Sequence, residues 1–135
     1  MSLLAGIFGQ RKPKILVVDD DHNIVELLQA ILETENYQVD TAKDGLQGLT
    51  LYKKNSYDLV ILDGRLPKMS GTELLEMIRA APDGKKQAVI MLSAEDMLGP
   101  IQKAYELGII EWVSKPCSPE KFLTKVLGHL NAIKK

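Results

Sequence analysis

Acidic residues directly follow two strongly apolar runs of the chain. The run 15–18 is followed by three aspartates at positions 19–21, and the run 59–62 is followed by Asp63. Carboxylates that converge in one place repel one another, which raises the pKa of some of them unless a cation is bound. Because hard oxygen ligands favour Mg²⁺ or Mn²⁺ over softer metals, these aspartates predict a divalent-cation site.

Two more polar residues lie at the ends of later apolar runs. Ser93 follows the run 89–92, and Lys115 lies just after Trp112 and Val113. A carboxylate can act as a nucleophile toward phosphorus when a metal ion and an ammonium group neutralise charge on the phosphoryl oxygens. Asp63, Lys115 and the Ser93 hydroxyl therefore have the chemistry that phosphoryl transfer to a carboxylate requires.

The elements that must position these residues alternate regularly along the chain. Five apolar runs are each followed by a segment with helical spacing of apolar residues, a pattern typical of βαβ units on a parallel sheet. The predicted strands are 14–19, 38–42, 59–62, 88–92 and 112–113. The first, third and fourth are continuously apolar, as expected of strands that are buried on both faces.

We predict an α/β fold with a doubly wound, five-stranded parallel sheet in the order 2-1-3-4-5, which is the flavodoxin-like (βα)5 arrangement. The weaker second and fifth strands suit the edges of the sheet. Functional residues of such sheets lie just beyond the carboxyl ends of the strands. Asp63, Ser93, Lys115 and the aspartates at 19–21 all fall at those ends.

Short motifs predict where the helices begin and end. Residues 70–73 (SGTE) form a capping box, Ser118 precedes a proline at a first helical position, and Gly108 can end the fourth helix. Gly99 and Pro100 should disturb the first turns of that helix or delay its start.

The composition is that of an ordinary globular domain. The 135 residues are 45% hydrophobic and 26% charged, with a net charge of −1, which argues against disorder and against strong attraction to nucleic acid. The only cysteine, Cys117, cannot form an internal disulfide, so a cytoplasmic location is expected. No segment is long and apolar enough for membrane insertion.

Residues 1–13 are predicted to be a flexible lead-in, and residues 14–135 the folded domain. The alternative for residues 3–8 is an amphipathic docking segment. No output segment follows the last predicted helix within this sequence, so we expect either a stand-alone domain or part of a longer regulator.

Four ordered motifs closely resemble the response-regulator receiver domains of two-component signalling, including chemotaxis receivers. The resemblance extends from residue 14 to the C-terminus. Its motifs are 15–21 (ILVVDDD), 58–63 (DLVILD) with Leu66-Pro67 and Ser70-Gly71, 90–94 (IMLSA), and Lys115-Pro116. Taken together and in this order, they are far more specific than any one of them.

The resemblance implies a role for each site residue. Asp63 would be the phosphoacceptor, and Asp19 and Asp20 would hold Mg²⁺, or Mn²⁺, together with Asp63 and the backbone carbonyl of Arg65. Ser93 would sense the phosphoryl group. Lys115 would bind a phosphoryl oxygen, and its bond to Pro116 is expected to be cis. The third aspartate, at position 21, is either an acidic site residue or the cap of the first helix.

Trp112 stands where the family has an aromatic residue whose rotamer is coupled to the hydroxyl at Ser93. The family usually has tyrosine or phenylalanine there, and a purely structural, half-buried tryptophan is the alternative. Arg65 and Glu95 are predicted to pair across the site and to restrict the water that hydrolyses the aspartyl phosphate. His22 and His129 are predicted to be surface residues.

The resemblance implies a phosphoacceptor that catalyses its own phosphotransfer and dephosphorylation but is not otherwise an enzyme. Its donor would be a sensor histidine kinase or a phosphotransfer protein. Its output would be a changed binding surface for a downstream protein or effector domain, with homodimerisation on phosphorylation as a further expectation. Direct contact with nucleic acid is not expected.

Three other functions remain open from the sequence. A phosphatase of the haloacid dehalogenase type also uses a strand-end aspartate, but the Thr or Val that usually follows is Asn23 here. A flavodoxin-like nucleotide-binding module would need a phosphate-binding loop of Gly, Ser and Thr after the first strand, where this chain has aspartates. A receiver fold used for constitutive protein binding is the third.

Overall fold

A computed structural model describes residues 12–94 and 96–133 of the chain. Within these ranges strands and helices alternate, as the sequence predicts. The strands are β1 (Lys14–Val18), β2 (Gln38–Ala42), β3 (Leu59–Leu62), β4 (Val89–Ser93) and β5 (Glu111–Ser114). The α-helices are α1 (His22–Thr34), α2 (Gly45–Lys54), α3 (Gly71–Ala80), α4 (Leu98–Glu106) and α5 (Pro119–Ile133), and a short 3₁₀ helix, Gly84–Lys86, follows α3.

The five strands form one parallel sheet in the order β2-β1-β3-β4-β5. This confirms the predicted fold class, the strand order and the edge positions of β2 and β5. Three predicted strands have boundaries that are wrong by one residue: β1 ends at Val18, β4 begins and ends one residue later than predicted, and β5 extends one residue further at each end. Propensity does not fix strand ends, which depend on pairing with the neighbouring strand.

The central strands are buried because each face of the sheet carries its own helix layer. Alternate residues of β1 point to opposite faces: Leu16 and Val18 pack in the core with α2, α3 and α4, whereas Ile15 and Val17 pack with α1 and α5. All four side chains are fully buried. This two-sided burial explains why the central strands are continuously apolar.

Side chains cap the N-termini of α1, α3 and α5 at the carboxyl edge of the sheet. Asp21 Oδ1 accepts hydrogen bonds from the backbone N–H groups of Asn23 and Ile24, so this aspartate caps α1. Ser70 Oγ accepts from the Glu73 N–H at 3.1 Å, which confirms the capping box. The N–H group of Lys121 donates to Ser118 Oγ in the same way. These caps satisfy backbone groups that have no partner within the helix.

Helix α4 forms despite a glycine and a proline near its start. It begins at Leu98 and contains Gly99 and Pro100 in its first turn, so the proline does not delay its start beyond that turn. A proline there removes no hydrogen bond, because the first four N–H groups of a helix have no partner within it. Gly108, with φ +80°, follows the end of the helix as predicted.

Arg79 joins the connection between α3 and β4 to the connection between α4 and β5. Its guanidinium donates to the carbonyl oxygens of Gly84 and Gln87 (both 2.7 Å) before the strand, and to those of Leu107 (2.6 Å) and Gly108 (3.1 Å) after α4. The planar guanidinium has five N–H donors, so one side chain can bind all four carbonyl oxygens.

Among the described residues, no helix has the length and apolar character needed to cross a bilayer. The predicted docking segment at residues 3–8 lies outside the described residues. The boundary at residue 14 stays a prediction, although the Pro13 carbonyl already accepts a hydrogen bond from the Gln38 N–H at 2.9 Å.

Candidate functional site

Three carboxylates meet where β1 and β3 end. Asp19, Asp20 and Asp63 each offer a carboxylate oxygen, and these oxygens lie within 4.8 Å of one another. Asp19 and Asp63 are 2% and 6% exposed, whereas Asp20 is exposed. Because β1 and β3 are neighbours in register, with Val18 opposite Leu62, the residues that follow them are placed side by side.

Lys115 reaches this cluster from the loop after β5. Its Nζ lies 2.8 Å from Asp19 Oδ2 and 3.0 Å from Asp63 Oδ2. The Lys115 N–H group donates to the Ser93 carbonyl at 2.9 Å, and the peptide bond between Lys115 and Pro116 is cis, as the resemblance implies. One ammonium group therefore bridges two buried carboxylates.

Burial and the bridging lysine have opposite effects on these groups. Burial raises the pKa of Asp19 to about 6, although the hydrogen bonds from Lys115 and from the Asp21 N–H lower it. Burial lowers the pKa of Lys115, but its hydrogen bonds to Asp19 and Asp63 outweigh this, and the net shift is upward. A positive charge at this point favours the ionised carboxylates, and a divalent cation would favour them more strongly.

The donor set fits a hard divalent cation. Three carboxylates from strand ends, two of them buried, provide oxygen ligands without a competing Cys or His among the residues of the cluster. Mg²⁺ takes one or two protein carboxylates and completes its octahedron with waters and phosphate oxygens. The residues present therefore suit a metal that also contacts a phosphoryl group.

The loop after β3 binds the other carboxylate oxygen of Asp63, the one that Lys115 does not contact. Asp63 Oδ1 accepts a hydrogen bond from the Arg65 N–H at 3.0 Å. The first residue of α3, Gly71, donates its N–H to the Gly64 carbonyl at 3.0 Å. A Cβ atom on Gly71 would lie 2.0 Å from the Asp63 carbonyl oxygen. Only glycine lets α3 begin this close to the Asp63 backbone, a requirement that the sequence analysis missed.

Ser93 and Trp112 lie together beside Gly64. Ser93 is fully buried at the end of β4, and a Cβ on Gly64 would lie 2.9 Å from its Oγ and 3.3 Å from Trp112 Cη2. Trp112 is only 9% exposed, so it is more buried than the half-buried structural alternative supposed. Its backbone N–H donates to Tyr105 Oη at 2.9 Å, whereas its buried indole Nε1 has no hydrogen-bond partner among the described residues.

The structure leaves one predicted pair untested and places both histidines at the surface. Glu95 lies outside the described residues, so its pairing with Arg65 stays a prediction. His22 is exposed, as predicted. His129 also lies at the surface, with 28% of its side chain exposed, and its Nε2 lies 3.2 Å from Glu111 Oε1, a contact that the sequence does not predict. Helix α5 packs against β5 in a way that the spacing of its apolar residues does not reveal.

A cavity of about 460 Å³ opens beside the site, between the first turns of α1 and α5. Lys115 lies at its polar side, and its remaining wall is mostly apolar. The other lining residues include Ile24, Leu27, Pro116, Cys117 and Phe122.

Comparison with known proteins matches this fold and site to one family. The family model described as the response regulator receiver domain matches residues 15–127. Sporulation initiation phosphotransferase F of Bacillus subtilis is 38% identical over 117 residues, which cover 87% of this chain and 93% of that protein. Transcriptional regulatory protein DltR of Streptococcus agalactiae is 35% identical over 113 residues, which cover 84% of this chain and 50% of DltR.

Solved structures agree with this result. A CheY-like response regulator receiver domain protein from Methanospirillum hungatei is 31% identical, with a TM-score of 0.85 over 91% of this chain and 97% of that one. The non-phosphorylated HemR receiver domain from Leptospira biflexa is 35% identical, with a TM-score of 0.83 over 88% of this chain and 94% of that one.

The chain belongs to the response regulator receiver domain family. It spans about half the length of DltR and of the PhoP regulatory protein of Bacillus subtilis, and almost the full length of sporulation initiation phosphotransferase F. The predicted family and the predicted fold are confirmed.

Proposed function

We propose that this receiver domain accepts a phosphoryl group on Asp63 and that the modification changes its binding surface. The observation that carries the proposal is the contact of Lys115 Nζ with Asp19 and Asp63, at 2.8 Å and 3.0 Å, within a cluster of three carboxylates. Such a site joins an anionic nucleophile to groups that can neutralise a phosphoryl group.

In the proposed step, a carboxylate oxygen of Asp63 forms a bond to phosphorus as the donor's bond to phosphorus breaks. With a phosphohistidine donor the imidazole leaves and takes up a proton, and with acetyl phosphate the leaving group is acetate. Bound Mg²⁺, held by Asp19, Asp20, Asp63 and the Arg65 backbone carbonyl, would neutralise charge on the phosphoryl oxygens. Lys115 Nζ would move from the Asp63 carboxylate to one of those oxygens, and the Ser93 hydroxyl would donate to another.

The phosphorylated state would be transient. Water attacking the aspartyl phosphate would restore the Asp63 carboxylate and release inorganic phosphate, a reaction that the same site residues would accelerate. Arg65 and Glu95 are proposed to restrict the approach of that water. The domain would thus catalyse its own phosphorylation and dephosphorylation, without a separate substrate to turn over.

The proposed donor is a sensor histidine kinase or a phosphotransfer protein in the cytoplasm. The proposed output is recognition by a downstream protein or effector domain, with homodimerisation as one form that it takes. Ser93 and Trp112 would connect the phosphoryl group to that surface. Since phosphorylation adds charge next to buried groups, it can shift an existing equilibrium between two packings of these residues.

The proposal is tested by incubating the purified chain with Mg²⁺ and acetyl phosphate and measuring its intact mass. A gain of one phosphoryl group is expected, and it should be absent with EDTA and in Asp63→Asn. A folded wild-type chain that gains no mass from acetyl phosphate, or from a phosphorylated phosphotransfer protein, would favour the alternative of constitutive protein binding. Turnover of phosphate monoesters would instead support a phosphatase.

A further inference from the structure

Gly64 is the residue directly after the proposed phosphoacceptor, and it is half-buried. Its φ lies outside the left-handed region that favours glycine. Other residues can therefore adopt this backbone conformation, so backbone strain does not explain the glycine. The explanation must lie in the space around its α-carbon.

That space is filled by one side chain from β4 and one from β5. A Cβ on Gly64 would meet Ser93 Oγ at 2.9 Å, Trp112 Cη2 at 3.3 Å and Ser93 Cβ at 3.4 Å. The first distance is shorter than real Cβ contacts, and the second is tight. Ser93 lies within the β4–β5 ladder opposite Ser114, and Trp112 is paired with Met91 and buried among apolar residues. Neither backbone can retreat without disturbing the sheet.

The indole reaches this point from β5, across the end of β4. Trp112 is larger than the tyrosine or phenylalanine expected at its position, and its distal ring carbon lies against the gap at Gly64. The bulky indole and the missing side chain are therefore complementary in volume. Close packing of this kind transmits small displacements, because a core has little free volume to absorb them.

We propose that Gly64 is a positioning residue for phosphoryl transfer: its missing side chain lets the Ser93 hydroxyl and the Trp112 ring occupy their places beside Asp63. The inference rests on the proposed function, since it assigns Ser93 a contact with the phosphoryl group. Gly64 itself would touch neither the phosphoryl group nor the metal. It acts by leaving room for the Ser93 side chain and for the Trp112 ring.

The test compares the full wild-type chain with Gly64→Ala, Trp112→Phe and the double variant. Gly128→Ala is the matched control, because a Cβ at Gly128 would meet no atom of the described residues within 4 Å beyond its own stretch of helix. The rate of phosphoryl uptake from acetyl phosphate is measured by intact mass, and Mg²⁺ affinity by calorimetry. A shift of a few tenths of an ångström in Ser93 should slow uptake about tenfold in Gly64→Ala.

Three results are expected together. Gly64→Ala should bind Mg²⁺ as the wild type does, since the atoms nearest to the added Cβ outside its own loop belong to Ser93 and Trp112. Adding Trp112→Phe should restore uptake toward the rate of Trp112→Phe alone, because the shorter ring gives Ser93 room to relax. Gly128→Ala should react at the wild-type rate. If Gly64→Ala alone fails to fold, recovery of folding in the double variant is expected.

Three results would overturn the proposal. One is a Gly64→Ala variant that reacts at the wild-type rate, and another is a slow variant that Trp112→Phe does not improve. The third is a loss of Mg²⁺ affinity in proportion to the loss of rate, which would indicate general damage to the site. Absence of uptake by the wild type overturns the proposed function itself, and the wild-type sample distinguishes that failure from the others.

Discussion

Lys115 Nζ lies 3.0 Å from Asp63 Oδ2, although 52 positions separate the two residues in the chain. The same ammonium group is 2.8 Å from Asp19 Oδ2. Lys115 is thus a cation bound to the very carboxylates that are proposed to hold Mg²⁺. The lysine and the metal should therefore compete for the carboxylates before phosphorylation and cooperate once a phosphoryl group is present.

Replacing Lys115 by methionine should therefore change metal binding and phosphoryl transfer in opposite directions. Removing a positive charge at about 3 Å should raise Mg²⁺ affinity about tenfold. Loss of a donor to the phosphoryl oxygens should slow uptake from acetyl phosphate about 10²- to 10³-fold. Calorimetry and intact mass measure the two effects, and a variant whose Mg²⁺ affinity falls would contradict the assigned role of Lys115.

Arg79→Met should destabilise the fold without touching the carboxylate cluster. The guanidinium serves four backbone carbonyls in two connections, and leaving such acceptors unsatisfied should cost about 3 kcal/mol. Urea denaturation measures the free energy of unfolding. Arg79→Lys keeps the charge but cannot reach both connections, so it should be destabilised nearly as much as Arg79→Met. Wild-type stability in the lysine variant would mean that only the charge matters.

Two glycine-to-alanine variants should change the free energy of unfolding in opposite directions. Gly71→Ala places a Cβ 2.0 Å from the Asp63 carbonyl oxygen, and relieving this overlap should cost about 3 kcal/mol. Gly128 lies in α5, where an added Cβ would meet none of the described residues outside its own stretch of helix, so Gly128→Ala should stabilise the protein by about 0.5–1 kcal/mol. Thermal or urea unfolding of both variants is the measurement. Equal effects would show that the close approach of α3 to Asp63 is not maintained in solution.

Acid should weaken the contact between β5 and α5. The hydrogen bond from Lys125 lowers the pKa of Glu111 below its ordinary value of 4.5; burial opposes this, and His129 adds to the lowering. As pH falls below about 4.5, the unfolded chain takes up this proton before the folded chain does, so the stability from Glu111 is lost on acidification. Above that pH the contribution is complete.

Urea midpoints measured between about pH 6 and pH 3 test this prediction. Glu111→Gln should show a shallower loss of stability with acid than the wild type, and Lys125→Met should do the same. If the urea midpoint falls with pH equally in all three proteins, the contact contributes nothing to the stability of the fold.

The fold could be predicted because its signals are local. Continuous apolar runs mark the buried strands, and residues such as Ser70, Asp21 and Gly108 mark helix ends by chemistry that acts within one turn. The convergence of Asp19, Asp63 and Lys115 followed from the topology, since the carboxyl ends of parallel strands share one edge. The family motifs then gave each residue an expected role.

Packing between distant segments could not be predicted in the same way. The contact of His129 with Glu111 and the narrow space around Gly64 depend on how helices and strands approach one another. The four carbonyl partners of Arg79 come from connections that are adjacent only in the folded chain. Side-chain type and spacing carry no direct signal for such contacts, because many arrangements satisfy the same apolar pattern.

The most direct test of the central claim is to identify which aspartate carries the phosphoryl group. The chain is phosphorylated with acetyl phosphate and Mg²⁺ and reduced with borohydride, which converts an aspartyl phosphate to homoserine, and its peptides are mapped by mass spectrometry. We predict homoserine at position 63, and unmodified aspartate at positions 19 and 20. Homoserine at either of those two positions, with Asp63 unmodified, would contradict the account.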